Sequence, residues 1–254
     1  MIEYNKRKFH KLYKTLMTKN RYIFDNDTKN ILNDIRKFMN QRIKTLAYGT
    51  KLWRAQIGCD FDKNNDTPTP YNEKRMYPLK HKAFEGRANP KGIPYVYLAT
   101  NKDIAINEIR PWPGKFVSCG TFLCCQDLKL VDFTKDENKS LTIDLENMKL
   151  LSKNSIENLW GDLNTAFSKP VIPADDTAEY VITQVIAELV KNEGLDGILY
   201  KSGYSNKHLL GKNVVLFNRK GIKLKTLDVY KIETVKFKYT QQNNTIYVLN
   251  NFEP

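Results

Sequence analysis

The chain has 254 residues, room for one large domain or a medium one with an extension, and enough to bury a substantial core. Its 41% apolar and 27% charged residues suit a soluble globular protein, and no apolar run nears the roughly 18–20 residues that span a bilayer. No apolar signal-peptide core follows the first charges, so a cytoplasmic protein without a membrane partner is expected.

Four cysteines (Cys59, Cys119, Cys124, Cys125) form no CxxC pair, and His10, His81 and His208 are scattered. No metal site is therefore expected. Cys119, Cys124 and Cys125 sit in an apolar, strand-like run and are expected as buried free thiols. The net charge of +13 suggests nucleic acid, but residues 1–54 hold 14 Lys/Arg against 4 Asp/Glu, so +10 of it lies there.

In chain order, Phe9, Leu12, Tyr13, Leu16 and Met17 form one apolar stripe of a helix over residues 3–19. A second helix is expected from an N-cap at Asp27 or Thr28 to about Leu46, with Leu32, Ile35, Phe38 or Met39, Ile43 and Leu46 as its stripe. The basic faces of the two leave a docked helical pair or a partner-binding surface open. Residues 51–58 read as a strand carrying Arg54 among apolar neighbours. A buried arginine needs an anion, so a salt bridge and a phosphate or ribose clamp are equally open.

Residues 59–83 lack periodicity and contain Pro68, Pro70 and Pro78, reading as a long loop or lid. The stretch from Phe84 to Pro111 is dense in signals. A stiff polar loop (Gly86, Arg87, Asn89, Pro90, Gly92, Pro94) leads into the strand Tyr95–Leu98, with Tyr95 expected on the face opposite Tyr97. A short helix then runs from an N-cap at Asn101 toward Pro111. Loop, strand and helix could aim Arg87, Tyr97 and Glu108 at one cleft.

Strands are expected over 115–125 and 128–133, a polar insertion over 134–153, and helices over 156–167 and 179–193, the latter closed by Gly194. Strands follow at 197–202 and 213–218, with edge strands near 235–239 and 245–249. The sum is an α+β fold with a mainly antiparallel sheet of six or more strands. It lacks regular βαβ alternation, GxGxxG and GxxxxGK[ST].

Four segments together resemble the RES domain family. They are Leu52–Ala55; Gly86–Ala99 with Ala105–Pro111; Tyr180–Glu188 with its Thr183-Gln184 pair; and Asp196–Ser202 with Asn213–Phe217. The match runs in order over about residues 50–218, leaving a basic helical extension over 1–49 and C-terminal strands over 219–254 around a catalytic domain of 50–254. The resemblance implies a split sheet similar to that of ADP-ribosyltransferases. It implies an enzyme that degrades NAD by hydrolysis or phosphorolysis, often the toxin of a toxin–antitoxin pair.

Carried over by position, the family arginine is Arg54, the loop arginine Arg87, the strand tyrosine Tyr97, the glutamate Glu108 and the serine Ser202. Glu108, Arg54 and Ser202 are the catalytic candidates. Arg54, Arg87, Tyr97, Asn89 and Ser202 are the NAD-binding candidates, and Asn213 is a lesser one. NAD is a substrate here, and no true cofactor is expected. A helix-turn-helix antitoxin is the implied partner, nucleic acid is not expected, and a homodimer is left open. Two rivals stand beside this reading: transfer of ADP-ribose to a protein or nucleic acid, and a nucleic-acid-binding module built on the basic helices.

Overall fold

A computed structural model describes residues 8–79, 83–135, 143–144, 149–150, 155–169, 177–205, 209–236 and 240. Two helices open the described chain, α1 (Lys8–Thr18) and α2 (Asn26–Met39). Strands β1 (Ile43–Leu46), β2 (Lys51–Ile57), β3 (Asp60–Phe61), β4 (Pro68–Thr69) and β5 (Val96–Ala99) follow, then helix α3 (Lys102–Glu108). Next come β6 (Phe116–Cys124), β7 (Leu128–Asp132), β8 (Ile143–Asp144), β9 (Lys149–Leu150), α4 (Ser155–Ser168) and α5 (Val181–Asn192). Strands β10 (Gly197–Lys201), β11 (Lys212–Leu216) and β12 (Ile222–Lys231) complete the order.

The main sheet has eight strands in the order β1-β7-β10-β11-β5-β2-β6-β12. Every neighbouring pair is antiparallel except β7 and β10. The fold is thus α+β on a mainly antiparallel sheet. Its weak seam lies between β5 and β2, which pair only at Trp53 and Ala99. The strands part on either side of that bridge, so the sheet is split, and α3 packs against β2, β5, β6 and β11 around the split.

Helices α1 and α2 dock on α4 and α5. Leu12, Leu16, Ile31, Ile35 and Met39 enter the same core cluster as Phe133, Trp160, Phe167, Ile186 and Val215. The second face of the sheet is closed by Leu52, Met76, Phe122, Leu130, Val214 and Ile222. Several of the basic side chains that raised the charge are paired on the surface. Lys8 meets Asp34, and Arg36 reaches Glu193 at 2.6 Å.

Several expectations are corrected. Helix α2 starts two or three residues earlier, on the Asp25 carboxylate that accepts from the Thr28 N–H (2.8 Å), and hydrogen bonding to Thr28 holds Asp25 below its usual range. It ends at Met39, because Ile43–Leu46 pairs with β7 as a strand. Residues 59–79 form a β3–β4 hairpin and a 3-10 turn at Glu73–Met76, with Met76 fully buried. Tyr95 and Tyr97 share one side, as an even spacing along an extended chain dictates: both meet the first cluster while Val96 and Leu98 meet the second. Cys119 and Cys124 are buried, but Cys125 is exposed at the strand end. Strand β12 lies outside the expected edge strands, of which 237–239 and 245–249 fall beyond the described residues, as does most of 134–153.

Candidate active site

Glu108 is the last residue of α3. The helix starts because Asn101 Oδ1 accepts from the Asp103 N–H (2.7 Å), and buries Ile104 and Ala105 beside Ala55, Ala99 and Val117. It stops because Arg110 turns into the left-handed region at φ 48° and Pro111 offers no N–H. The Arg110 Nε–H donates to Tyr204 Oη (2.9 Å), tying this end to the turn after β10.

The carboxylate is held from one side. Glu108 Oε1 accepts from Ser202 Oγ (2.7 Å) and from Asn213 Nδ2 (2.6 Å), both buried, at 1% and 6% exposure. Ser202 Oγ itself accepts from the Tyr204 N–H (3.1 Å), which orients its proton toward Glu108. Oε2 has no partner among the described residues. The result is a fixed carboxylate with one oxygen unspent.

That carboxylate borders a cavity of about 800 Å³ at the split of the sheet. Trp53, Arg54 and Gln56 of β2, Tyr97 of β5, Tyr200 of β10 and Asn213 of β11 line it. Arg54 Nη1 donates to the Tyr97 carbonyl (3.0 Å), while its Nε is sealed from solvent with no partner. Burial pushes Arg54 down to about 10. No carboxylate pairs with it among the described residues, so the salt-bridge alternative does not hold. Its uncompensated charge favours an anion in the cavity.

The polar loop is pinned internally and from behind. Tyr97 Oη donates to Asn89 Oδ1 (2.7 Å) and accepts from the Ala88 N–H (2.9 Å). Asn89 Nδ2 donates to the carbonyls of Phe84 (2.9 Å) and Pro90 (3.1 Å). A Cβ on Gly86 would stand 2.6 Å from both Asn89 Oδ1 and Tyr97 Oη, so a side chain there would push this hydrogen-bonded pair aside. From α5, Gln184 Nε2 donates to Glu85, Gly86 and Asn89, and Thr183 Oγ1 donates to the Arg87 carbonyl. Burial raises the Tyr97 hydroxyl well above its usual range, keeping it a neutral pin.

The sequence-predicted residues therefore divide. Glu108, Arg54, Tyr97 and Asn213 meet at the cavity, and Ser202 stands behind Glu108 without lining it. Asn89 is 2% exposed and spends its side chain on the loop. The Arg87 guanidinium donates to the Phe167 carbonyl at the end of α4 and does not line the cavity. Sequence reasoning overlooked Gln56 and Arg75 as lining residues, and the loop clamp of Thr183 and Gln184. The last pair had a signal: two polar residues on the apolar, buried side of α5. A groove of similar size, about 870 Å³, borders the loop at Glu85, Pro90 and Lys91 but contains none of the candidates.

A sequence model of the RES domain matches residues 51–239, which include Arg54, Glu108, Ser202 and Asn213. The chain belongs to the RES family. A solved structure of similar shape is the crystal structure of the M. tuberculosis MbcT-MbcA toxin-antitoxin complex. It matches with a TM-score of 0.43 and 14% identity, covering 78% of this RES-family chain and 92% of that one. No curated protein sequence matches. Among the described residues of this RES-family protein, no helix is long and apolar enough to cross a membrane.

Proposed function

We propose that the protein consumes NAD by cleaving the bond between nicotinamide and ribose, with water or phosphate as acceptor. One observation carries this reading: Glu108 is the only carboxylate among the described residues lining the cavity. Ordinary glycosidases need a second carboxyl group to protonate the leaving oxygen. The nicotinamide of NAD is a pyridinium, so it departs neutral with the electron pair of the C–N bond and needs no acid.

The free Oε2 of Glu108 then faces the positive charge that develops on the ribose, while Ser202 and Asn213 keep the group from turning away. A lone pair of the acceptor closes on the anomeric carbon. The proton of an attacking water passes to Glu108 or to solvent, giving ADP-ribose; phosphate gives the 1-phosphate of ADP-ribose. Tyr97 and Trp53 offer ring surface for the nicotinamide, and Arg54 offers a fork of donors for anionic oxygens.

An enzyme that removes NAD harms the cell that makes it. The reading therefore includes a toxin role and a cognate antitoxin that blocks the cavity, as the RES resemblance implies. Incubation of the full chain with NAD, with free nicotinamide followed by chromatography, tests the chemistry. Nicotinamide release with free ADP-ribose or its phosphate is expected. ADP-ribose found on protein by mass spectrometry would make the enzyme a transferase, and no release with any acceptor would end the proposal.

A further inference from the structure

A smaller lobe of about 290 Å³ adjoins the Glu108 cavity. Arg54, Gln56, Arg75, Phe84 and Tyr97 line both, so they form the neck between them. Two of the five carry guanidinium groups. Neither has a carboxylate partner among the described residues.

Arg75 is exposed, yet it is not loosely held. Its 3-10 turn is capped by Asn72, whose Oδ1 accepts from the Arg75 N–H (3.2 Å), and is anchored by the fully buried Met76. The flanking tyrosines fix the turn to the sheet. The Tyr71 N–H donates to Ser118 Oγ (2.9 Å), Tyr71 Oη donates to the Ile57 carbonyl (3.2 Å), and the Leu224 N–H donates to Tyr77 Oη (3.0 Å). The Arg75 guanidinium carbon lies 3.5 Å from the centre of the Tyr71 ring. This cation–π contact holds the group over the ring, and its side-chain N–H groups have no acceptor among the described residues.

We propose that Arg54 and Arg75 form an anion subsite at this neck, built for the diphosphate of a dinucleotide. The nicotinamide ribose then extends into the larger lobe toward Glu108. The adenosine extends into the smaller one, against Tyr77 and Phe84. The inference rests on the reading of the cavity as an NAD site, and it adds Arg75 to the NAD-binding candidates, whereas Arg87 does not line the cavity. Two guanidiniums lining one neck can share the phosphate oxygens of a diphosphate in a way that one arginine does not.

The test pairs ADP binding, which needs no turnover, with NAD kinetics. Calorimetric titration of ADP is expected to give an affinity about tenfold weaker for Arg75→Ala than for wild type, with an intermediate loss for Arg75→Lys, which keeps the charge but not the planar fork. Lys74→Ala removes an equal charge one residue away, outside both lobes, and should bind ADP as wild type does. In steady state, Arg75→Ala should raise KM for NAD by a similar factor with kcat within about twofold, since the lost contact is equal in ground and transition states. Wild-type affinity for ADP in Arg75→Ala, or an equal loss in Lys74→Ala, would overturn the subsite. If ADP binds through Arg75 but NAD releases no nicotinamide, the subsite stands and the proposed reaction falls.

Discussion

At Glu108 two donors converge on one carboxylate oxygen, and this decides how the residue can be probed. Glu108→Ala leaves Ser202 Oγ and Asn213 Nδ2 buried without their acceptor, a cost of about 1–3 kcal/mol for each unsatisfied group. It should melt clearly below wild type. Glu108→Gln keeps an oxygen for both donors and should melt close to wild type; equal melting of the Ala and Gln variants in calorimetry would contradict the geometry. Arg54 presents the opposite case. Its folded value of about 10 lies below its ordinary 12.5, so its burial weighs against the fold wherever it stays protonated, and relief comes only as pH rises through about 10. Arg54→Met, apolar and of similar length, should therefore melt no lower than wild type without ligand. It should also lose the stabilisation that ADP-ribose gives the wild type. A large fall in melting temperature would make Arg54 structural. Residue types and their order made Arg54, Glu108 and Ser202 legible. The direction of Arg87 was not, because its partner is a carbonyl 80 positions away at the end of α4.

Among elements, the loop before β5 is held from the strand by one hydroxyl and from α5 by Thr183 and Gln184. Tyr97→Phe keeps the ring in the cavity but leaves the Ala88 N–H and Asn89 Oδ1 without that partner. Hydrogen exchange should quicken over residues 84–94 while the strands of the sheet stay protected, with a stability loss of about 1–3 kcal/mol. Uniform exchange across loop and sheet would show that the loop is held elsewhere. Elements with long regular stripes, such as α1, α4 and α5, were readable from periodicity. Short ones were not. Ile43 and Leu46, three apart, suit a helix turn as well as an edge strand, and only pairing with β7 decides. In β12 the register shift between Leu224 and Thr226 breaks the alternation that would have announced a strand.

Across the whole molecule, the split between β2 and β5 turns a sheet into a cleft, and the groups around it come from β2, β5, α3, β10 and β11. Antiparallel architecture was legible from strand spacing and the lack of alternation with helices, whereas the split was legible only through the family resemblance, since one bridge at Trp53 and Ala99 leaves no mark in local pattern. The basic N-terminal helices spend their apolar faces on the core beside Trp160 and Phe167. A chain lacking residues 1–39 should expose that surface and bind a hydrophobic dye instead of folding as wild type does. A soluble, cooperatively melting truncation would show the helices to be dispensable. For the same reason, nucleic-acid binding is better tested by reversing exposed charges than by deletion.

In the proposed reaction one carboxylate, unaided by an acid, breaks the nicotinamide–ribose bond. Nicotinamide release from NAD, measured side by side for wild type and Glu108→Gln at matched melting temperature, tests it most directly. Wild type should release nicotinamide, and the variant should do so at least about a hundredfold more slowly, roughly the scale of a lost electrostatic stabiliser. Equal rates in the two proteins would contradict it.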